Sequence, residues 1–349
     1  TFRPIDQLSA TAVIKTVVDP HPPDAPSQIL QPEVSSGFAA GLAAGLAHPP
    51  FGVLPGLLGY ALLMRLAETE GPRPLRSAFF RGWLAGVGYF AIGVWWITEA
   101  FLVDAAAHGW MAPFALLFMA GGLALFWGLA ALAYRWAAVS GPWRVLVFAG
   151  CLALAEWVRG HVFTGFPWNL PGETWAAGGA ISQTASLVGS YGLSWITVAV
   201  AASAALVLDP TPRRGRAIGF GVALATLAGL FAFGAMRLAA APQGAADAPL
   251  IRVVQANIDQ KDKWKPENLD LIVDTYVSLS RSRPGEPAPA VVVWPEGALP
   301  AVIDDLLAPG SPYVPRIAGA LQPGQTLMLG ANRMGLSVAG EPDYFNSLI

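Results

Sequence analysis

Long stretches without a charged side chain fill most of the chain before residue 240, and they constrain its fold more than any other feature. They run over Val34–Ala47, Phe51–Met64, Gly82–Thr98, Trp110–Tyr134, Val145–Ala155, Ala176–Leu208 and Ala217–Met236. A transmembrane helix needs about 20 mainly apolar residues. Only 13% of the residues are charged, whereas soluble domains usually have about 25%. The sequence therefore predicts a membrane bundle of about seven helices, in which the first two stretches form either a hairpin of spans or a re-entrant pair.

Arginines are distributed unevenly over the loops between these stretches. Alternate loops are arginine-rich and contain Arg65, Arg73, Arg76 and Arg81, then Arg135 and Arg144, then Arg213, Arg214 and Arg216. Short cytoplasmic loops collect Lys and Arg, and loops on the other side do not. The alternation predicts a flexible cytoplasmic tail over residues 1–33 and a transmembrane bundle over 34–240, and it places the residues after 240 outside the cytoplasm.

The pattern changes after a linker at 241–249. Residues 250–349 alternate between short apolar runs and one stretch with helical spacing. Strands are predicted at Ile251–Ala256, Ala290–Trp294 and Thr326–Gly330, and helices at Glu267–Ser280 and Tyr313–Leu321. Alternating strands and helices indicate an α/β layer arrangement.

Glu296 is the strongest candidate for a catalytic side chain. It follows Pro295 at the end of the apolar run Val291–Trp294. Because proline cannot continue a strand ladder, it ends the strand and gives the next side chain a defined position. A carboxylate there is a candidate general base, and the alternative is a glutamate that caps a solvent-exposed turn.

Several motifs carry a resemblance to a known family. VVVWPEGALP, together with IRVVQANIDQKDKW, LMLGANR and DYFNSL, resembles the first part of a nitrilase-type domain of the carbon-nitrogen hydrolase superfamily. EWVRGHVFTGFPWNLPG, residues 156–172, resembles a periplasmic loop of the apolipoprotein N-acyltransferase family. The similarity runs from about Gly37 to Ile349. It implies a multi-span α-helical membrane bundle followed by an α/β nitrilase-like domain, an α-β-β-α sandwich that is incomplete here.

The resemblance also implies an activity. Members of the family transfer a fatty acyl chain from a phospholipid to the α-amino group of diacylglyceryl-cysteine on a bacterial lipoprotein, through a thioester on the enzyme. Glu296 matches the general base, and the lysine and nucleophilic cysteine are expected beyond Ile349, so the chain alone is expected to be inactive. The implied location is the bacterial inner membrane, with the catalytic domain on the periplasmic side. The implied partners are the phospholipid donor, the diacylglyceryl lipoprotein acceptor and membrane lipids, with no nucleic acid, metal or organic cofactor.

Five further residues are candidates for substrate binding, each with a plainer alternative. Trp264 matches a family tryptophan near the acyl site, and otherwise anchors a loop at the membrane interface. Phe166 and Trp168 line the lipid entrance or belong to an aromatic belt. Arg159 meets a phospholipid phosphate, or it snorkels or pairs with Glu156. Asn346 matches a family asparagine near the site, and otherwise makes a turn or strand-edge hydrogen bond.

Cys151, the single cysteine, lies within an apolar run and matches no catalytic position of the family. We expect it to be inert packing, because an apolar environment disfavours the thiolate. A second hypothesis for the whole chain is a non-catalytic membrane protein that binds lipid or lipoprotein. A third, a soluble-type amidase or nitrilase tethered to a membrane, requires a hydrophilic pocket, and the elaborate spans disfavour it.

Overall fold

The computed structural model describes residues 30–208, 213–241, 247–282, 285–337 and 340–349. Most of the predicted tail, residues 1–29, lies outside them, and the first helix begins at Leu30. The chain divides into two compact units. The first comprises residues up to Thr98 together with Pro113–Ala240, and the second comprises Glu99–Ala112 together with Ala241–Ile349.

Helices make up the chain up to residue 240. The α-helices are α1 (Leu30–Leu46), α2 (Leu58–Glu68), α3 (Pro74–Gly93), α4 (Glu99–Leu102), α5 (Ala105–His108), α6 (Ala112–Ala137), α7 (Arg144–Arg159), α8 (Ala185–Ala202) and α9 (Arg213–Ala239). Short 3₁₀ segments lie at Leu54–Leu57, Trp95–Thr98, Gly109–Met111, Pro171–Thr174, Ile181–Thr184 and Ser203–Leu208.

Three helical stretches of the described residues are long and apolar enough to cross a membrane, namely Ala105–Ala137, Ile181–Val207 and Arg214–Ala239. A bent pair, Pro74–Gly93 with Trp95–Leu102, makes a fourth if it acts as one span. The other predicted spans are helical but short, with 11 residues in α2 and 16 in α7. These helices indicate a membrane protein, and the count of seven spans stays a prediction.

The core of the first unit combines small residues with a cluster of aromatic rings. Ala40 and Ala85, on α1 and α3, are almost fully buried, as is typical of helices that pack closely in membranes. The rings of Tyr89 and Trp127 pack against each other at a tilt with centroids 4.5 Å apart, and the Tyr60 ring lies 5.8 Å from the same indole. This cluster brings α2, α3 and α6 together.

The second unit contains a four-stranded mixed sheet in the order β1 (Ile251–Val253), β2 (Val291–Trp294), β3 (Thr326–Leu336) and β4 (Pro342–Leu348). The first three strands are parallel, and β4 runs antiparallel to β3. Its helices are α10 (Gln260–Lys263), α11 (Leu269–Ser280), α12 (Ile303–Leu306) and α13 (Tyr313–Ala318), with a 3₁₀ turn at Pro266–Asn268.

The core of this unit lies between α11 and the sheet. Ile272, Val273 and Tyr276 are buried at helical spacing, and the Tyr276 ring lies 4.9 Å from that of Trp294. The Trp294 indole nitrogen donates to Ser280 Oγ at 2.8 Å, so this buried polar atom is satisfied. This packing fixes the end of β2, where Glu296 follows.

The α/β character predicted for residues 250–349 is present, but the boundaries differ. Strand β1 ends at Val253 rather than Ala256, β3 extends to Leu336 rather than Gly330, and β4 was not predicted. Parallel pairing of β1, β2 and β3 fits the expected α/β layer. The α-β-β-α sandwich stays a prediction.

Candidate active site

Glu296 lies in the turn that follows β2. Pro295 ends the strand, and Gly297 has a φ of +60°, a conformation that glycine adopts without strain. The Glu296 side chain is exposed, and its Oε1 accepts a hydrogen bond from the Asn346 amide. The structure thus brings together two of the candidates proposed from the sequence, at the point where a parallel strand ends.

Asn346 reaches Glu296 from β4, which the sequence did not predict as a strand. It faces Asn332 in the register between β3 and β4. Strand β4 is at the edge of the sheet, so the observed contact is a strand-edge hydrogen bond whose partner is the candidate base, and both alternatives for Asn346 stay open. Its part in substrate binding stays a prediction.

The backbone of Glu296 passes very close to Gly330 of β3. A Cβ atom at Gly330 would lie 2.7 Å from both the Glu296 Cα and the Pro295 carbonyl oxygen. These neighbours are backbone atoms, which cannot rotate away as a side chain can. Gly330 therefore allows the Glu296 turn to lie against β3.

Lys263 and Trp264 lie beside the same turn. The Lys263 ammonium nitrogen is 3.5 Å from the position that a Cβ atom would take at Gly297, and 5.8 Å from the centre of the Trp264 ring. Trp264 itself is 52% exposed. The cation therefore lies close to the candidate base, with an open indole next to it.

The neighbouring lysines have acidic partners. Lys261 lies 3.3 Å from Asp259, and Lys265 lies 2.7 Å from Asp262. The hydrogen bond to Asp262 raises the pKa of Lys265, so its ammonium is held by that partner. Lys263 is the lysine of this segment that faces the Glu296 turn.

Arg159 lies at the end of α7 in the first unit and is 2% exposed. Its guanidinium pairs with Glu156, whose other oxygen accepts from the Trp127 indole at 2.5 Å. It also donates to the carbonyl oxygens of Phe166 and Trp168. Of the alternatives for Arg159, the pairing with Glu156 is the one in the structure. Contact with a phospholipid phosphate stays a prediction, which the burial of the guanidinium disfavours.

Phe166 and Trp168 are held in position by these contacts. Their ring centroids are 6.4 Å apart, and Trp168 also lies 5.4 Å from Trp96. Trp168 is 55% exposed, whereas Phe166 packs partly against the core. Both alternatives, an aromatic belt and a lipid entrance, remain open for this pair.

A buried cluster of polar side chains contacts the loop that carries Phe166 and Trp168. The Tyr89 hydroxyl donates to the Asn169 carbonyl oxygen at 2.6 Å and lies 2.6 Å from His48 Nε2. Thr174 lies 3.4 Å from the same histidine nitrogen. The loop of residues 166–174 is therefore fixed from two sides, by Arg159 and by Tyr89.

Cys151 is half-buried and packs against the core of the first unit. It lies in the middle of α7, among the apolar residues of that helix. This position fits a packing role, and the reactivity of the thiol is untested.

The sequence interpretation missed Lys263 and Gly330. Lys263 directly precedes Trp264 in KDKW, and Gly330 lies in LMLGANR, two stretches that carry the family resemblance. A glycine inside a predicted strand is a known sign of close backbone approach, so that signal was available. The sequence does not indicate which residue approaches Gly330, because that depends on the pairing of β2 with β3.

The fold and the site define a class: a helical protein of the membrane with an α/β domain that presents a carboxylate at a strand end. Residues 40–203 match the model of the apolipoprotein N-acyltransferase N-terminal domain. The chain is 56% identical to the apolipoprotein N-acyltransferase of Caulobacter vibrioides over 311 residues, which are 89% of this chain and 58% of that protein. It is 38% identical to the protein of the same name from Brucella melitensis, over 90% of this chain and 60% of the relative.

The apolipoprotein N-acyltransferase of Sinorhizobium medicae is 36% identical over 89% of this chain and 60% of its own length. These matches confirm the resemblance, and the chain belongs to the apolipoprotein N-acyltransferase family. It spans about 60% of the length of the curated relatives that it matches.

Proposed function

We propose that this chain is part of an enzyme that transfers a fatty acyl chain from a phospholipid to the amino group of diacylglyceryl-cysteine on a bacterial lipoprotein. The relatives named apolipoprotein N-acyltransferase support N-acylation of lipoproteins in general. The observation that carries the proposal within this chain is the exposed Glu296 carboxylate, held by Asn346 at the end of β2.

Glu296 is proposed as the general base of both half-reactions. In the first, it takes the proton of a cysteine thiol as the sulfur attacks the ester carbonyl. The acyl C–S bond forms, the ester C–O bond breaks, and the departing lysophospholipid oxygen receives the proton. In the second, Glu296 takes a proton from the attacking amine, the amide C–N bond forms, the C–S bond breaks, and the departing cysteine sulfur receives the proton. Its exposure leaves the carboxylate accessible to both substrates.

The nucleophile of this reaction is not among the 349 residues. Cys151 is the only cysteine in the sequence, and it packs within α7. A carboxylate acting alone contributes about 10²–10⁴-fold as a general base, far below typical enzymatic accelerations of about 10⁶-fold or more. We therefore expect acyl transfer to need the lysine and cysteine that the resemblance implies, and the 349-residue chain to be inactive alone.

The remaining candidates are proposed to serve the lipid substrates. Trp264, with its open indole next to Lys263, is proposed to contact the acyl chain. Trp168 and Phe166 are proposed to line the lipid entrance. Arg159 is proposed to act through the loop whose carbonyl oxygens it binds.

We also propose that the catalytic domain lies on the periplasmic side of the inner membrane, as the arginine distribution predicts. A reporter that is active only in the periplasm should be active when fused after Ala246 and silent when fused after Arg214. The opposite pattern would overturn the orientation and the proposed span count.

Trapping of the acyl-enzyme tests the function directly. The protein made from its natural reading frame is incubated with phospholipid labelled in one acyl chain, and then with a diacylglyceryl peptide. We expect a hydroxylamine-sensitive label on the protein that moves to the peptide amine. A peptide with an acetylated amine is the matched control and should leave the label on the protein. Lipid or peptide binding without any covalent label would instead favour the non-catalytic binding protein.

A further inference from the structure

The first unit contains an apolar groove that the proposed chemistry does not use. It lies between the start of α7, the outer face of α8 and the N-terminal half of α9, and has a volume of about 400 Å³. Among the described residues that line it, none is charged. The volume falls in the range of about 300–1,000 Å³ that is typical of small-molecule sites.

The groove exists because α9 touches its neighbours near its two ends. Near its beginning, Arg216 donates to the Val207 carbonyl oxygen at 3.0 Å, and near its end Arg237 donates to Gln183 at 3.3 Å. Between these contacts most of α9 is not covered by other helices. The most apolar window of this helix is only 11% buried, against 50% for Ile181–Val207.

Two polar side chains in the walls have hydrogen-bond partners within the protein. Ser203 Oγ donates to the Val200 carbonyl oxygen at 2.6 Å, and the Trp195 indole nitrogen donates to the Leu146 carbonyl oxygen at 3.3 Å. The remaining wall is mainly aliphatic, and Ile218 and Val222 are more than half exposed. Such a surface favours a hydrocarbon chain over a polar ligand.

Two arginines, Arg214 and Arg216, lie near one end of the groove. Arg216 holds its guanidinium at Val207, next to the lining residue Leu206. Arg214 is exposed and lies one turn before Ile218, on the same face of α9. An anionic headgroup at this end would therefore lie near two guanidinium groups, while its acyl chain follows the apolar wall.

We propose that this groove binds one acyl chain of an anionic phospholipid whose phosphate contacts Arg214 and Arg216. Basic pockets between transmembrane helices are known to bind anionic lipid headgroups. All residues that line the groove belong to the first unit, and the proposal does not depend on acyl transfer.

Native mass spectrometry of the purified 349-residue chain tests the binding. The probes are phosphatidylglycerol, phosphatidylcholine with the same acyl chains, and oleate. We expect one phosphatidylglycerol to be retained at least about fivefold more tightly than the other two, because a basic residue near a lipid phosphate contributes about a factor of five. Equal retention of both phospholipids, or tighter binding of oleate, would overturn the proposal.

Matched variants locate the site. Ala223→Trp, from the α9 wall, and Ala199→Phe, from the α8 wall, should each abolish this binding, whereas Leu224→Trp, next to the groove but not lining it, should not. Arg214→Gln should reduce the preference for phosphatidylglycerol about fivefold. Arg135→Gln makes the same charge change on another helix and should leave the preference unchanged. Retention of the lipid by both groove-filling variants would contradict the proposal.

Photocrosslinking tests the same site on the unsubstituted chain, so the result does not depend on whether a variant folds. Phosphatidylglycerol with a photoreactive group at the end of one acyl chain should crosslink to peptides of α8 and α9 that line the groove. Crosslinks spread evenly over the apolar helices would show ordinary bilayer lipid and would overturn the proposal.

Discussion

Two glutamates in this chain lie at helix or strand ends and accept hydrogen bonds, but they lie in opposite surroundings. Glu156 is completely buried and binds Arg159 and the Trp127 indole. Glu296 is exposed and accepts from one neutral amide, that of Asn346. A carboxylate whose oxygens are occupied by a buried cation and an indole has no route to a substrate proton, whereas an exposed carboxylate does. From this comparison we propose a structural role for Glu156 and a chemical one for Glu296.

The largest expected effect is on stability, at the buried glutamate. Glu156→Gln leaves the Arg159 guanidinium buried without a counter-charge, and breaking such a pair costs about 3–5 kcal/mol. Unfolding in mixed micelles should show a free energy of unfolding lower by about that amount. Glu296→Gln is the control and should change it by less than about 0.5 kcal/mol, as exposed substitutions usually do. If the two substitutions lowered the free energy of unfolding equally, the proposed difference in role between Glu156 and Glu296 would be wrong.

The next effect concerns the turn that carries the exposed glutamate. Gly330→Ala places a methyl group against the backbone of Glu296, and such overpacking costs about 1–3 kcal/mol. Gly335→Ala on the same strand meets only the ring edge of Phe345, 2.8 Å away, which can rotate. We expect hydrogen exchange at 294–298 to accelerate in the first variant only. Unchanged exchange would show that Gly330 does not position Glu296.

A smaller effect is expected from the amide partner of Glu296. Asn346→Ala removes one hydrogen bond to a carboxylate, which we expect to slow acyl-enzyme formation about tenfold. The side chain is exposed, so the thermal midpoint should hardly change. Ser347→Ala, the next residue on β4, points to the opposite face of the strand and serves as control. A loss of stability without a loss of rate would assign Asn346 a structural role only.

The smallest effect is expected at the single cysteine. Cys151→Ser should leave acyl-enzyme formation unchanged, because the thiol packs against the helical core of the first unit. Intact-protein mass spectrometry after incubation with labelled phospholipid measures the acyl-enzyme. Its loss in a folded Cys151→Ser variant would contradict our interpretation of this residue.

The sequence predicted local features of the fold better than distant ones. The strand before Glu296 and the helix Leu269–Ser280 were predicted within about a residue or two, because apolar spacing is a local signal. Strand β4 was missed, since Pro342–Leu348 is largely exposed and gains its structure from pairing with β3. The count of seven spans stays a prediction, because several of the apolar stretches, such as that of α7, form helices too short for the length criterion.

The same distinction applies to the candidate site. Glu296 was identified from its position after a strand and a proline, which is local information. The contact of Asn346 with Glu296 joins residues 50 positions apart, and the proximity of Lys263 to Gly297 depends on how α10 packs. Arg159 was predicted with several roles, and only the structure shows that its guanidinium is enclosed by Glu156 and two carbonyl oxygens.

The central claim is that Glu296 supplies the base and Glu156 supplies structure. The most direct test measures acyl-enzyme yield per folded molecule for Glu296→Gln and Glu156→Gln in the protein made from its natural reading frame. We predict that Glu296→Gln abolishes the acyl-enzyme while the protein stays folded, and that the folded fraction of Glu156→Gln still forms it. Normal acyl-enzyme yield from Glu296→Gln would contradict the account.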